Sequence, residues 1–140
     1  MDHAFKQVMV GCSKPREGKT SGTWIVPEMM LAYGILHSSG FAHSVEVWQE
    51  GLLVGGLYGV SLGGCFFGES MFSLVSNASK VALVTLVDFL GRHSFDFLDC
   101  QVKTDHLIRF GAKELPRNQF LKLLSTSLIK QTHKGKWSLG

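Results

Sequence analysis

His43-Ser44-Val45-Glu46-Val47-Trp48-Gln49-Glu50-Gly51-Leu52-Leu53-Val54-Gly55-Gly56-Leu57-Tyr58-Gly59-Val60-Ser61 is the stretch that decides the fold. From His43 to Gln49 apolar and polar residues alternate, the period of a half-buried strand. Glu50-Gly51 has the chemistry of a tight hairpin turn, and Leu52 to Ser61 is the returning strand. Leu62-Gly63-Gly64 turns the chain again, and Cys65 to Gly68 opens a third strand. The 18 residues from Gly51 to Gly68 carry no charge, which is long enough for a membrane helix. Seven of them are glycine, however, and glycine forms helices poorly. Glycine spread evenly through an apolar run fits bent or closely approached strands.

Downstream, Val75, Ala78, Ala82, Leu83, Leu86 and Leu90 recur at helical spacing, so Val75 to Leu90 is predicted as a helix capped by Gly91. Phe95 to Val102 is predicted as a strand, Asp105 to Phe110 as a short helix, and Pro116 to about Leu124 as a last helix. Upstream, His3 to Cys12 places Phe5, Val8, Met9 and Cys12 on one helical face. Ser13 to Gly22 is a loop. Pro27 suits the first turn of a helix running to about His37, stopped by Ser38-Ser39-Gly40. The order α, α, β, β, β, α, β, α, α describes an α+β domain. Residues 1–126 are expected to form it, and 127–140 to be a polar, basic, loosely held tail.

The chain has 140 residues, 45% of them hydrophobic and 18% charged, enough for one packed core and too apolar for disorder. Three cysteines, Cys12, Cys65 and Cys100, leave no even set and no CxxC spacing, against a disulfide framework or a zinc site. No leader pattern is visible in Met1 to Ser13, so a cytoplasmic location is expected. Net charge is +3, unevenly spread. Residues 101–140 hold eight basic and two acidic side chains, a net of +6, while residues 21–100 hold two basic and seven acidic, a net of −5. A basic end suits a polyanion such as RNA, and it equally suits a merely solvated terminus; charge alone leaves both open.

Several residues are candidates for chemistry. Asp99 and Gln101 lie two apart on the predicted strand, so both would face one side, roughly 6–7 Å apart. Such a pair can form a hydrogen-bonded relay, in which the amide of Gln101 only donates or accepts and Asp99 supplies the charge. Alternatively they cap nearby backbone. Glu69 sits beside Met71-Phe72, where a carboxylate is costly unless paired. It is either a ligand-binding acid or an acid at a helix start. His37, His43 and His106 have no metal-ligand spacing and read as structural. Trp48 reads as core, and Cys65 and Cys100 as small buried residues with no base nearby.

Certain strings, taken in order, carry a family resemblance. They are Gly22-Thr23-Trp24-Ile25, Ala32-Tyr33 with Leu36-His37, Ala42 to Trp48, Val54 to Gly59, and Phe67-Gly68-Glu69-Ser70-Met71-Phe72-Ser73 with Ala78-Ser79-Lys80. Asp99-Cys100-Gln101, His106-Leu107, Gly111-Ala112 and Pro116-Arg117 follow. Together they resemble the leucyl/phenylalanyl-tRNA–protein transferase family from Ala4 to about Leu121. The resemblance implies an acyl-CoA N-acyltransferase-like fold, a mixed sheet flanked by helices. It implies transfer of leucine or phenylalanine from aminoacyl-tRNA to an acceptor protein with N-terminal arginine or lysine, marking that protein for degradation by the bacterial N-degron route, with no cofactor and no metal. Glu69 would bind the donor's α-amino group, and Asp99 with Gln101 would serve the attacking amine. Trp24 and Tyr33 would contact the terminal adenosine. Leu57, Phe66, Met71, Leu83 and Leu86 would line an apolar side-chain pocket.

Two departures are visible. Leu86 stands where the family pattern has an aromatic residue. The helix near His3 is preceded in the family by a further N-terminal domain, so the expectation is a catalytic domain without it. Two other readings compete. One is an acyl-CoA N-acyltransferase, which needs a phosphate-binding loop at a helix start. No QxxGxG-like string precedes the Val75 helix. The other is an inactive remnant that binds RNA or a partner.

Overall fold

The computed structural model describes residues 1–15 and 25–140. Its elements are α1 (Phe5–Ser13), α2 (Pro27–Ser38), β1 (Ala42–Gln49), β2 (Leu52–Leu62), β3 (Cys65–Ser73), α3 (Ala78–Arg92), β4 (Phe97–Asp99), α4 (Asp105–Arg109) and α5 (Arg117–Ser127). This is the order expected from the sequence. The four strands form one sheet in the order β1-β2-β3-β4. The first three are antiparallel and β4 joins β3 in parallel, giving a mixed sheet flanked by helices, an arrangement consistent with an acyl-CoA N-acyltransferase-like fold. Glu50 and Gly51, with φ +50° and +78°, form the first hairpin turn.

The glycines of β2 let helices close on both faces. A Cβ on Gly55 would lie 2.5 Å from the Ala78 Cβ of α3. On the other face a Cβ on Gly56 would lie 3.2 Å from Val8 of α1. Two clusters result. One, on the α3 face, contains Val45, Leu57, Phe66, Leu83, Leu86, Phe89 and Trp137. The other, under α1 and α2, contains Phe5, Val8, Met9, Cys12, Ala42 and Tyr58, with Tyr33 packed against it. All four residues that predicted α1 are buried. The uncharged stretch 51–68 is β2, a turn and the start of β3. No helix among the described residues is long and apolar enough to cross a membrane.

Four expectations need correction. The third helix starts at Ala78, because Asn77 adopts a left-handed φ of +67° and the Ser73 hydroxyl accepts from Ser79 N; Val75 stays exposed. Gly91 does not cap this helix, which runs to Arg92 before Ser94 turns the chain at φ +58°. Trp48 is 48% exposed, since a register shift after Val47 turns the strand end outward. The segment after Ser127 is not loose: Trp137 is 1% exposed and stacks on His43, with ring centroids 3.7 Å apart.

Asp2 ties this segment to the body. Its carboxylate accepts from His43 Nδ1, Ser44 N and Trp137 N, each at 2.8 Å. Burial works against the charge, but these donors outweigh it and hold the Asp2 carboxyl below its ordinary value. A depressed carboxyl contributes stability above its unfolded pKa, and that contribution is lost as pH falls through the folded value. Asp2→Asn is therefore expected to cost about 2 kcal/mol at pH 7. The gap from the native chain should narrow below about pH 4 and close at lower pH. Urea titrations at pH 7 and pH 3 measure it; an equal gap at both would refute the assignment.

Candidate functional site

Opposite β2, the ladder of β3 slips by one residue. Tyr58 faces Ser70 and Gly59 faces Gly68, so Glu69 is the extra residue of a β-bulge. A bulge re-aims a side chain and is a common device beside binding sites. The helix-start reading of Glu69 is thereby excluded: it lies within β3. The Tyr33 hydroxyl of α2 lies near its carboxylate. Burial, and then Glu69 itself, push the Tyr33 phenol far above its ordinary range, so Tyr33 remains a donor.

The Tyr33 ring meets Tyr58 edge to face at 5.3 Å. Tyr58 is 0% exposed, and its hydroxyl has no hydrogen-bond partner among the described residues. Burial, then the neighbouring Cys12, Tyr33 and Glu69, raise its phenol as well. Sequence reasoning missed this residue. The available signal was a side chain with a polar tip in an otherwise apolar, glycine-rich strand.

Asp99 is the last residue of β4 and pairs in parallel with Phe67. A Cβ on the intervening Gly68 would touch the Asp99 carbonyl at 3.5 Å. β4 stops there while β3 continues to Ser73, so β3 from Gly68 onward has no β4 beside it. Residues 67–72 of β3 are accordingly half-buried. The bulged Glu69, with Tyr33 near it, thus lies on the stretch of β3 just past the end of β4 at Asp99.

Gln101 does not join Asp99 on a strand face. It follows the strand end, adopts a left-handed φ of +64° and is exposed. Its backbone N–H donates to Asp99 Oδ1 at 2.8 Å, a local turn closed by the carboxylate. The expected same-face pair is therefore replaced by a loop in which Asp99 holds the backbone of Gln101.

The five apolar candidates do come together. Leu57, Phe66, Leu83 and Leu86 are buried in one cluster, with Met71 half-buried against it. Trp24 lies outside the described residues. His43 is buried and bonded to Asp2, and His37 Nδ1 donates to Ala42 O at 2.8 Å, both structural roles. His106 packs edge-on against Phe110. Cys65 is buried and Cys100 half-buried, and burial raises both thiols.

Residues 1–125 match the family described as leucyl/phenylalanyl-tRNA protein transferase. The chain belongs to this family. It is 58% identical over 139 residues to the leucyl/phenylalanyl-tRNA–protein transferase of Desulfatibacillum aliphaticivorans, covering 99% of this chain and 60% of the relative. The protein of the same name from Myxococcus xanthus is 56% identical over 140 residues, covering 99% of this chain and 59% of its own length. That from Nitrosomonas eutropha is 56% identical over 136 residues, covering 97% and 58%. The chain thus spans about 60% of the length of the first relative. Glu69, Tyr33 and Asp99 all fall within the matched span.

Proposed function

We propose that this chain is the catalytic part of an enzyme that moves leucine or phenylalanine from aminoacyl-tRNA to a protein's N-terminal arginine or lysine. The observation that carries the reading is the bulged Glu69, with Tyr33 near it, on the stretch of β3 just past the end of β4 at Asp99. A carboxylate there can bind the donor's α-ammonium, leaving the ester carbonyl toward the end of β4. The acceptor's α-amine attacks that carbonyl. It has an ordinary pKa near ~8 and must shed a proton. Asp99 supplies the negative charge that draws the proton away, with Gln101 contacting the amine. The new C–N bond forms, the bond to the ribose oxygen breaks, and the ribose hydroxyl regains a proton. Tyr33 and Trp24 would flank the terminal adenosine. Leucine and phenylalanine share bulk without polarity, so the donor side chain would enter the apolar cluster by parting Met71 from Leu57, Phe66, Leu83 and Leu86. The work belongs in the cytoplasm, where charged tRNA is found, and its product is marked for the bacterial N-degron route.

The test is label transfer. The chain is incubated with tRNA carrying labelled leucine or phenylalanine and a peptide beginning with arginine. Label should enter this peptide and not one beginning with glycine. Asp99→Asn should slow transfer about 100-fold. No transfer from tRNA or from a minimal aminoacyl-adenosine, by folded protein, overturns the reading.

A further inference from the structure

Tyr58 presents an unsolved polar group. Buried hydroxyls almost always have a partner, and one left without is costly. A chain with no use for this oxygen would keep the ring and lose the hydroxyl, as phenylalanine does. The ring is well seated, edge-on to Phe5 at 5.9 Å and to Tyr33 at 5.3 Å. Across the sheet, Tyr58 opposes Ser70, the residue next to the bulge. Cys12, Tyr33 and Glu69 are near enough to act on its phenol. The charge at Glu69 is close enough to act on Tyr58.

The helix above it is lightly held. No residue of α2 is fully buried, and Leu31 and Ile35 are 68% and 59% exposed. An element with so little buried surface shifts at small cost. The Tyr33 and Tyr58 rings are already in contact, so a shift of α2 alters how their hydroxyls meet.

We infer that the Tyr58 hydroxyl is a positioning group for the donor site, donating to the Tyr33–Glu69 pair when the donor is bound. This rests on the reading of Glu69 as the acid that holds the donor's α-ammonium. In the free chain the Tyr33 hydroxyl lies near Glu69. Once the ammonium arrives, Tyr58 completes a chain from hydroxyl to hydroxyl to carboxylate. Hydrogen bonds in such a chain strengthen one another. The added bond fixes the direction of the carboxylate and draws α2 down over the donor.

The experiment compares Tyr58→Phe with the native chain, using phenylalanyl-adenosine as donor and an arginine-initial peptide as acceptor. The variant removes only the hydroxyl. Its melting temperature should equal or exceed the native value, because an unpaired buried oxygen is gone. Its KM for phenylalanyl-adenosine should rise about tenfold, equivalent to about 1.4 kcal/mol, while the peptide KM stays unchanged. An unchanged donor KM overturns the inference. So does a fall in melting temperature with both KM values rising together, which marks a structural role. If the native chain itself transfers nothing, the proposed function fails and takes this inference with it, a result distinct from a silent variant beside an active native chain.

Discussion

Glu69→Gln is expected to lower kcat/KM for the aminoacyl donor by about 100-fold, equivalent to about 2.7 kcal/mol, with little change in melting temperature. The substitution keeps shape and removes charge. The introduced amide keeps an oxygen that can accept from the nearby Tyr33 hydroxyl, so the approach of the bulge to α2 survives. What is lost is the attraction between a carboxylate and an ammonium in a half-buried setting, worth more there than in water. The amide also turns an N–H toward the ammonium, which repels it. The loss should appear in the donor term, since in the proposed mechanism the acceptor amine is served by Asp99. Parallel saturation curves for donor and acceptor separate the two. A large drop in melting temperature would instead make Glu69 the anchor of α2. Full activity would remove it from the site.

The hairpins were the most legible part of the sequence, because alternation in β1 and the Glu50-Gly51 turn are local signals. The bulge was hidden in plain numbers. Phe66 and Met71 are five apart, and a regular strand puts residues an odd distance apart on opposite faces. Both nevertheless join the α3-face cluster, because the extra residue at Glu69 resets the alternation. Two apolar residues required on one face at an odd spacing therefore imply a bulge between them, here at the acid itself. Asp99 and Gln101 fail for the opposite reason. Their spacing of two suits a strand, but the left-handed backbone at Gln101 ends it. A non-glycine residue with positive φ is rare and leaves no periodic mark in the sequence. Nor does a sequence show that Tyr58 lacks a partner among the described residues, since that depends on what other elements bring near it.

Trp137→Ala should cost about 4 kcal/mol, the range for emptying a large aromatic site, and lower the melting temperature by roughly 12 °C. The indole is sandwiched between His43 at 3.7 Å and Phe89 at 4.6 Å, and it also contacts Phe66 and Phe95. Its Nε1 donates to His133 O at 3.0 Å and its backbone N–H to Asp2. The segment looked loose because composition averages over it: one tryptophan is outweighed by Lys130, Lys134 and Lys136. These lysines face outward, Lys130 paired with Asp96 and Lys134 lying over the Phe41 ring, so a polar average is what one inward anchor among solvated neighbours produces. The consequence reaches the site. Phe66 packs on Trp137 and is also one of the five residues proposed to receive the donor side chain. Emptying the indole site should let Phe66 relax and enlarge that region, favouring phenylalanine over leucine as donor. Trp137→Phe keeps the stacking and loses the Nε1 bond, so it should cost about 2 kcal/mol and change donor preference less. Thermal melts of both variants, beside competition between the two labelled donors, test the coupling. A Trp137→Ala chain with native stability would show that residues 128–140 contribute nothing to the fold, against their burial.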